Sequence, residues 1–155
     1  MERYIGLDLG TTTLGIAISD SLGIVYGREN FNFERGNYKK AREHVLDLVN
    51  KENIYNIVIG LPLTLDNQVG ERAKSVKRFM EDILKINDKI QVFYQDERYS
   101  TIEAYERMNE MNMKKTNKEN LIDMFSAIII LETFLGGLKN GVKWKSNWNL
   151  WWRRK

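Results

Sequence analysis

Short apolar runs bounded by polar turns alternate with longer amphipathic stretches along most of the chain. The runs are rich in Ile, Val and Leu, which is typical of buried strands. The amphipathic stretches repeat apolar residues at helical spacing, as Ala41, Val45 and Leu48 do in the first of them. The pattern predicts strands over residues 4–9, 14–19, 24–33, 54–59 and 90–95, and helices over residues 37–50, 71–84, from 100 onward and 117–135.

The lengths of the connections predict how these elements are arranged. Only four residues join the first two strands and about as many join the second to the third, which predicts an antiparallel meander. The later strands alternate with helices, which predicts a single α/β domain with a mixed sheet and helices packed on it. Capping-box spacing at Ser100 and Thr116 marks two helix starts. Pro62 should end the fourth strand, and Gly136-Gly137 the last helix.

Composition narrows the chemistry that this domain could perform. The 155 residues include no cysteine and one histidine, His44. Thiolate nucleophiles, cysteine-ligated zinc and histidine-based hydrolytic triads are therefore excluded or very improbable. Catalysis would rest on carboxylates, hydroxyls, Lys or Arg. No apolar run approaches about 18 residues and the N-terminus lacks a signal-type stretch, which predicts no membrane span and a cytoplasmic location.

The charge is unevenly distributed. Residues 1–138 carry 21 acidic and 18 basic side chains, whereas residues 139–155 carry six basic and no acidic ones. This shift predicts a domain over residues 1–138 and a basic, Trp-rich tail over residues 139–155. The four tail tryptophans have helical spacing, and they suit stacking on nucleic-acid bases, a membrane surface, or packing on the domain or on a second copy. The sequence leaves these alternatives open.

Acidic residues stand out at three places along the chain, each at the margin of an apolar element. Asp8 lies inside an apolar strand, where an unpaired buried carboxylate is costly, so it is either a strand-end acid with a partner or a metal ligand. Asp96 and Glu97 follow the fifth strand, and alternation predicts that only one of them faces the same way as Asp8. Asp123 lies early in an apolar helix, where the helix dipole alone would favour an acid.

The three acids are more informative together than singly. The small residues Ser126 and Ala127 lie one turn beyond Asp123 and would let its helix approach the sheet and Asp8. Magnesium prefers oxygen ligands and binds beside substrate phosphates. The set Asp8, Glu97 and Asp123 therefore favours metal-dependent hydrolysis of a phosphodiester.

Six segments carry a family resemblance: residues 4–11 (YIGLDLGT), 15–20 (GIAISD), 58–63 (VIGLPL), 70–73 (GERA), 96–101 (DERYST) and 123–131 (DMFSAIIIL). In this order and spacing they resemble the YqgF family of pre-16S rRNA nucleases, also called Holliday-junction-resolvase-like proteins. The match covers about residues 3–138. The resemblance implies a ribonuclease H-like fold, with a five-stranded mixed sheet of order 3-2-1-4-5 flanked by helices.

The same resemblance implies a function and a site. It makes Asp8, Glu97 and Asp123 the catalytic and metal-binding acids of a Mg²⁺- or Mn²⁺-dependent nuclease. The implied substrate is ribosomal precursor RNA, processed at the 5′ end of pre-16S rRNA and with the ribosome as a further partner, and branched DNA is the alternative. Nucleic acid would be bound by residues of the matching motifs: Thr11, Arg72, Arg98, Ser100 and Thr101.

Two other functions remain open. Residues 6–13 also resemble the phosphate loop of actin-like ATPases and sugar kinases, but those proteins need two lobes that 155 residues cannot hold. A module that binds RNA or the ribosome without cleaving it would use the same surface.

The sequence also departs from the family pattern, because Thr12 and Thr13 stand where a Lys-Arg pair is usual, which removes basic charge beside the predicted site.

Overall fold

The computed structural model of the protein describes residues 1–63 and 70–139. Within these ranges the chain forms five strands and four helices. In chain order they are β1 (Ile5–Leu9), β2 (Thr13–Ser19), β3 (Val25–Asn32), α1 (Tyr38–Glu52), β4 (Asn56–Leu61), α2 (Glu71–Ile86), β5 (Gln91–Asp96), α3 (Ser100–Glu110) and α4 (Lys115–Lys139). The number and order of the elements are those predicted from the sequence.

The five strands form one mixed sheet in the order β3-β2-β1-β4-β5. Strand β1 pairs antiparallel with β2 and parallel with β4. The β2–β3 pair is likewise antiparallel, and the β4–β5 pair is parallel. The predicted meander and the predicted strand order are both confirmed. Because β1, β4 and β5 run parallel, their carboxyl ends meet at one edge of the sheet.

Side-chain alternation gives the sheet two different faces. On β1, Ile5 and Leu7 join a core formed with α1 and α2, whereas Gly6 and Asp8 point to the opposite face, which α4 covers. Helix α4 contacts all five strands, and α3 packs on the outer side of α4 through Ala104 and Met108. The sheet is therefore enclosed between helices, and the α4 face is the one that holds Asp8.

Helix ends differ most from the sequence-based expectations. Helix α3 begins at Ser100 as expected, but the capping box is absent, because Tyr99 is the N-cap and the Ser100 hydroxyl donates to the Glu97 carbonyl oxygen at 2.8 Å. Helix α4 begins at Lys115 and continues through Gly136 to Lys139. The predicted stop at Gly136-Gly137 is wrong, since neither glycine takes the left-handed conformation of a helix end.

Helix α4 is also long and apolar enough, over Lys115–Leu138, to cross a membrane by length and composition. Half of its apolar window is buried against the rest of the protein, and core helices of globular proteins meet the same criterion. Its apolar surface is used to cover the sheet.

Two sheet glycines allow α4 to lie this close. A Cβ atom at Gly15 would stand 1.9 Å from the Asp123 carbonyl oxygen, and one at Gly6 would stand 2.8 Å from the Leu131 Cβ. Gly15 is also the register partner of Asp8. The contact at Gly15 therefore places the backbone of Asp123 directly beside the strand pair that carries Asp8.

We expect Gly15→Ala to lower the free energy of unfolding by about 1–3 kcal/mol or more, because the new methyl group must displace the helix backbone. Gly136→Ala, on the helix that packs against Gly15, is the control, since a Cβ there meets nothing within 4 Å. It should raise stability by up to about 1 kcal/mol, the helix-propensity gain. Urea unfolding of both variants measures the difference, and equal stability of the two would refute the close-contact explanation.

Candidate active site

The carboxyl ends of β1, β4 and β5 border a cleft of about 310 Å³. It contains all three acids that the sequence singled out: Asp8 comes from β1, Glu97 from the residue after β5, and Asp123 from the side of α4 that faces the sheet. The cleft is lined by Asp8, Gly10, Pro62, Leu63, Arg72, Glu97, Arg98, Thr101 and Asp123. Three elements that are distant in sequence thus converge on one site.

Asp8, which is buried, and Glu97, which is partly buried, form a carboxyl pair. Asp8 is only 9% exposed, and its carboxyl group is hydrogen-bonded to that of Glu97. Burial raises the pKa of Asp8 well above its ordinary value, and the negative charges of Glu97 and Asp123 raise it further. Burial also raises the pKa of Glu97, against the hydrogen bond that it accepts from Asp8. The two carboxyl groups therefore lie where their charged forms are disfavoured, Asp8 more strongly than Glu97.

Glu97 needs the glycine of the neighbouring strand. A Cβ atom at Gly60 on β4 would come within 2.6 Å of the Glu97 Oε2 atom and of the Ile130 Cδ1 atom. The absent side chain leaves room for the Glu97 carboxylate between the sheet and α4. This contact also shows that Glu97 points to the α4 face, as Asp8 does.

Asp123 is held from the neighbouring strands. The hydroxyl group of Thr13 on β2 donates to Asp123 Oδ2, and the Asn30 side-chain oxygen on β3 accepts the backbone N–H of Met124 at 2.8 Å. These bonds fix the carboxylate and the helix turn that carries it. Thr13 is one of the two residues that depart from the family pattern, and the structure gives it a definite contact.

Arg72 is a cation of this cleft. Its guanidinium group donates to the Leu9 carbonyl oxygen at 3.1 Å, and its charge lowers the pKa of both Asp8 and Glu97. Arg72 lies in the first turn of α2, directly after the segment 64–69 that is outside the described residues. It offsets part of the repulsion between the carboxylates.

Asp96 and Glu97 diverge as strand alternation predicts. The Asp96 carboxylate accepts from Arg98, with a 2.7 Å contact to one terminal guanidinium nitrogen and a 2.8 Å contact to Nε. Glu97 lines the cleft with Asp8, whereas Asp96 is not among its lining residues. The prediction that Arg98 would pair with the outward-facing acid is confirmed.

The five predicted nucleic-acid contacts lie in different surroundings. Arg72, Arg98 and Thr101 line the cleft. Thr11 is exposed in the turn between β1 and β2, outside the cleft lining, and Ser100 is buried with its hydroxyl bonded to the backbone of the preceding turn. Contact with nucleic acid stays a prediction for all five residues.

The donor set fits a hard divalent cation. Among residues 1–63 and 70–139, no three acidic or histidine side chains are close enough to hold an ion together. Magnesium does not require three, because it usually binds through one or two carboxylates and keeps several waters. The adjacent carboxyl groups of Asp8 and Glu97 supply two such ligands. Their raised pKa values indicate that a nearby positive charge would favour their ionised forms.

Sequence reasoning missed the residues that position the acids. The position of Asp123 depends on hydrogen bonds from Thr13 and to Asn30 and on the close approach of the helix at Gly15. Gly60 leaves the space that Glu97 occupies. A signal was present in β2, where alternation puts Thr13 and Gly15 on the face opposite Leu14 and Ile16. Which helix covers that face could not be read from the sequence.

Comparisons with known proteins agree with this geometry. A family model described as "RuvX: Holliday junction resolvase" matches residues 2–137. A Sulfurihydrogenibium protein named "Putative pre-16S rRNA nuclease" is 37% identical over 139 residues, which are 89% of this chain and 92% of that protein. A Staphylococcus aureus protein of the same name is 31% identical over 138 residues, with coverages of 88% and 97%.

Solved structures resemble the fold. RuvC from Thermus thermophilus superposes with a TM-score of 0.57 at 12% sequence identity, covering 90% of this chain and 96% of that one. The same enzyme in complex with a Holliday junction substrate gives a TM-score of 0.56. At this identity the likeness is one of fold.

The fold and the relatives together define a nuclease of the ribonuclease H-like class. Within that class the chain belongs to the RuvX family, which is the YqgF family that its motifs indicated.

The carboxyl pair predicts a pH-dependent difference in stability. An acid whose pKa is raised on folding binds its proton more tightly in the folded state, so stability falls as pH rises from the unfolded value of about 4 through the folded value. Asp8→Asn keeps the shape and removes this titration. Without metal, we expect the variant and the wild type to melt alike near pH 3, and the variant to melt at a higher temperature near pH 8.

Asp47→Asn is the control for this comparison, because Asp47 is exposed on α1. It should leave the melting temperature near that of the wild type at each pH. An Asp8→Asn variant that is less stable than the wild type at pH 8 would show that Asp8 is a structural partner and not a strained acid.

The hydrogen bond from Thr13 to Asp123 predicts a second stability effect. Thr13→Val keeps the volume but removes the donor, and losing a hydrogen bond to a charged group costs about 1.5–3 kcal/mol. Thr12→Val, one residue away, retains the bond and should cost less. Urea unfolding without metal measures both, and equal losses would contradict an anchoring role for Thr13.

Proposed function

We propose that this protein hydrolyses phosphodiester bonds of structured RNA in the cytoplasm with Mg²⁺ or Mn²⁺, and that Asp8, Glu97 and Asp123 are its catalytic and metal-binding residues. Asp8 and Glu97 would hold an ion as a pair, and Asp123 would complete the acidic cleft. The observation that carries the proposal is the convergence of three carboxyl groups on one cleft, with those of Asp8 and Glu97 paired and Asp123 lining the same space. Carboxyl groups brought together in this way raise one another's pKa, and a cation in the cleft would relieve the cost.

The chemistry follows from the residues of the cleft. Divalent ions held by these carboxylates supply activation of a water molecule and stabilisation of the leaving oxygen. The chain's own residues position the acids: Thr13 fixes Asp123, and Gly60 leaves room for Glu97 beside Asp8. Arg72 and Arg98 line the same cleft and are suited to substrate phosphates.

The choice of RNA rests on the relatives. Two proteins named as pre-16S rRNA nucleases are 31–37% identical to this chain over about nine-tenths of its length. We therefore propose the 5′-end region of pre-16S rRNA as the substrate, with the precursor ribosome as its setting. Because the matching family model is described as a Holliday junction resolvase, a four-way DNA junction is the substrate against which the RNA is compared.

A cleavage assay with two neighbouring variants tests the proposal. Wild-type protein should cut a pre-16S 5′-region RNA in Mg²⁺ or Mn²⁺ and lose this activity in a chelator. Glu97→Gln removes a cleft carboxylate and should lower the rate roughly 100-fold or more. Asp96→Asn is the matched control, because Asp96 is partly exposed and paired only with Arg98 within the described residues, so it should lower the rate much less.

Each other outcome has a definite meaning. If Asp96→Asn lowered the rate more than Glu97→Gln, then Asp96 and not Glu97 would be the acid of the site. Preferential cutting of the DNA junction would reject the RNA substrate while keeping the nuclease. Metal-independent RNA binding without cleavage of either substrate would replace the enzyme by a binding module.

A further inference from the structure

A second concave surface lies at the edge of the sheet opposite the acids. It is a groove of about 430 Å³ between the β2–β3 turn, the N-terminus and the last turns of α4. Its apolar lining consists of Met1, Leu22, Val25, Leu135 and Leu138, and Gly23, Glu132 and Gly136 complete it. Asp123 and Leu138 are fifteen residues apart on α4, which is about 22 Å of helix. The groove is therefore separate from the acidic cleft.

The groove exposes large apolar side chains. Leu22 is 79% exposed, Met1 67% and Leu138 40%. On α4 the groove has free space, since a Cβ atom at Gly136 would meet nothing within 4 Å. A contiguous apolar surface of this kind marks a place where another apolar group binds.

The turn that presents Leu22 is firmly built. The Asp20 carboxylate accepts the backbone N–H groups of Leu22 and Ile24, both at 2.9 Å, and the N-terminal amino group donates to the Ser21 carbonyl oxygen at 3.0 Å. Gly23 takes a left-handed conformation, with φ of 85°. The outward position of Leu22 is thus fixed by the turn.

The chain itself supplies a suitable occupant. Leu138 forms a wall of the groove, and the segment 140–155 follows almost at once. That segment contains all four tryptophans of the protein, at positions 144, 148, 151 and 152. Trp144 is six residues beyond Leu138, a reach of up to about 20 Å in an extended chain. Asn140-Gly141 is a turn-forming pair that suits a reversal of direction after α4.

Charge favours the same occupant. Residues 140–155 carry five basic and no acidic side chains, whereas residues 1–138 carry an excess of acidic ones. Glu132 lines the groove, and the partly exposed Asp20 anchors the neighbouring turn. A basic, tryptophan-rich segment therefore matches both the apolar lining and the acidic surroundings.

We propose that residues 140–155 fold back after α4 and seat tryptophan side chains in the groove formed by Met1, Leu22, Val25, Leu135 and Leu138. The tail is then a clamp that joins the C-terminal end of α4 to the β2–β3 turn. It covers the apolar surface within one molecule and lies away from the acidic cleft. This inference does not depend on the proposed nuclease function.

Tryptophan fluorescence tests the proposal directly, because every tryptophan of the full-length chain is in the tail. The native protein should emit at shorter wavelength than the urea-unfolded protein and should resist quenching by acrylamide. Leu22→Asp should shift the emission to longer wavelength and increase quenching. Ile86→Asp is the matched control, since Ile86 is 69% exposed at the end of α2, on the other face of the sheet, and should change neither property.

Leu138→Asp, at the opposite wall, provides a second variant, and circular dichroism verifies that each variant is folded. Light scattering over a range of concentrations should give a monomer. The proposal is overturned if both groove variants leave the emission unchanged. It is also overturned if protection of the tryptophans depends on dimer formation, or if they are exposed in the free protein and become protected only on addition of RNA or of anionic lipid vesicles.

Discussion

The close approach of α4 to the glycines of the sheet is the constraint on which the rest of the structure depends. At Gly15 the helix backbone occupies the space that a side chain would fill, and at Gly6 the Leu131 side chain does so. Since Gly15 is paired with Asp8 in the β1–β2 ladder, this contact fixes the position of Asp123 relative to Asp8. A methyl group at Gly15 would push the helix outward and so move Asp123 away from Asp8.

The same closeness makes the site costly. Asp8 and Glu97 lie between the sheet and the helix, where burial, greater for Asp8, disfavours their charged forms. The charge of Arg72 offsets part of this cost, and the hydroxyl of Thr13 holds the neighbouring Asp123. Ordinary folding would favour apolar side chains at such positions. The retention of acids there is the kind of local conflict that functional sites show.

Much of this architecture could be predicted from local pattern. The antiparallel meander followed from short connections, and alternation along β5 correctly separated Glu97 from Asp96, because both rules act between residues close in sequence. The full strand order was implied only by the family resemblance. The end of α4 was predicted wrongly, since Gly136-Gly137 reads as a stop although the helix continues over the groove. The contacts at Thr13 and Asn30 were missed because each joins residues about a hundred positions apart.

Helix α4 joins two regions with different physical demands. Its first half carries Asp123 and faces buried, charged groups, and its last turns carry Leu135 and Leu138 and face an apolar groove. The energetic cost of the acids must be offset by packing elsewhere. Helix α4 provides such packing, because it contacts all five strands. Covering the apolar groove would extend that packing to the end of the helix farthest from the acids. Such a contact would add stability without altering the geometry of the cleft, because none of the residues that the structure describes lines both surfaces.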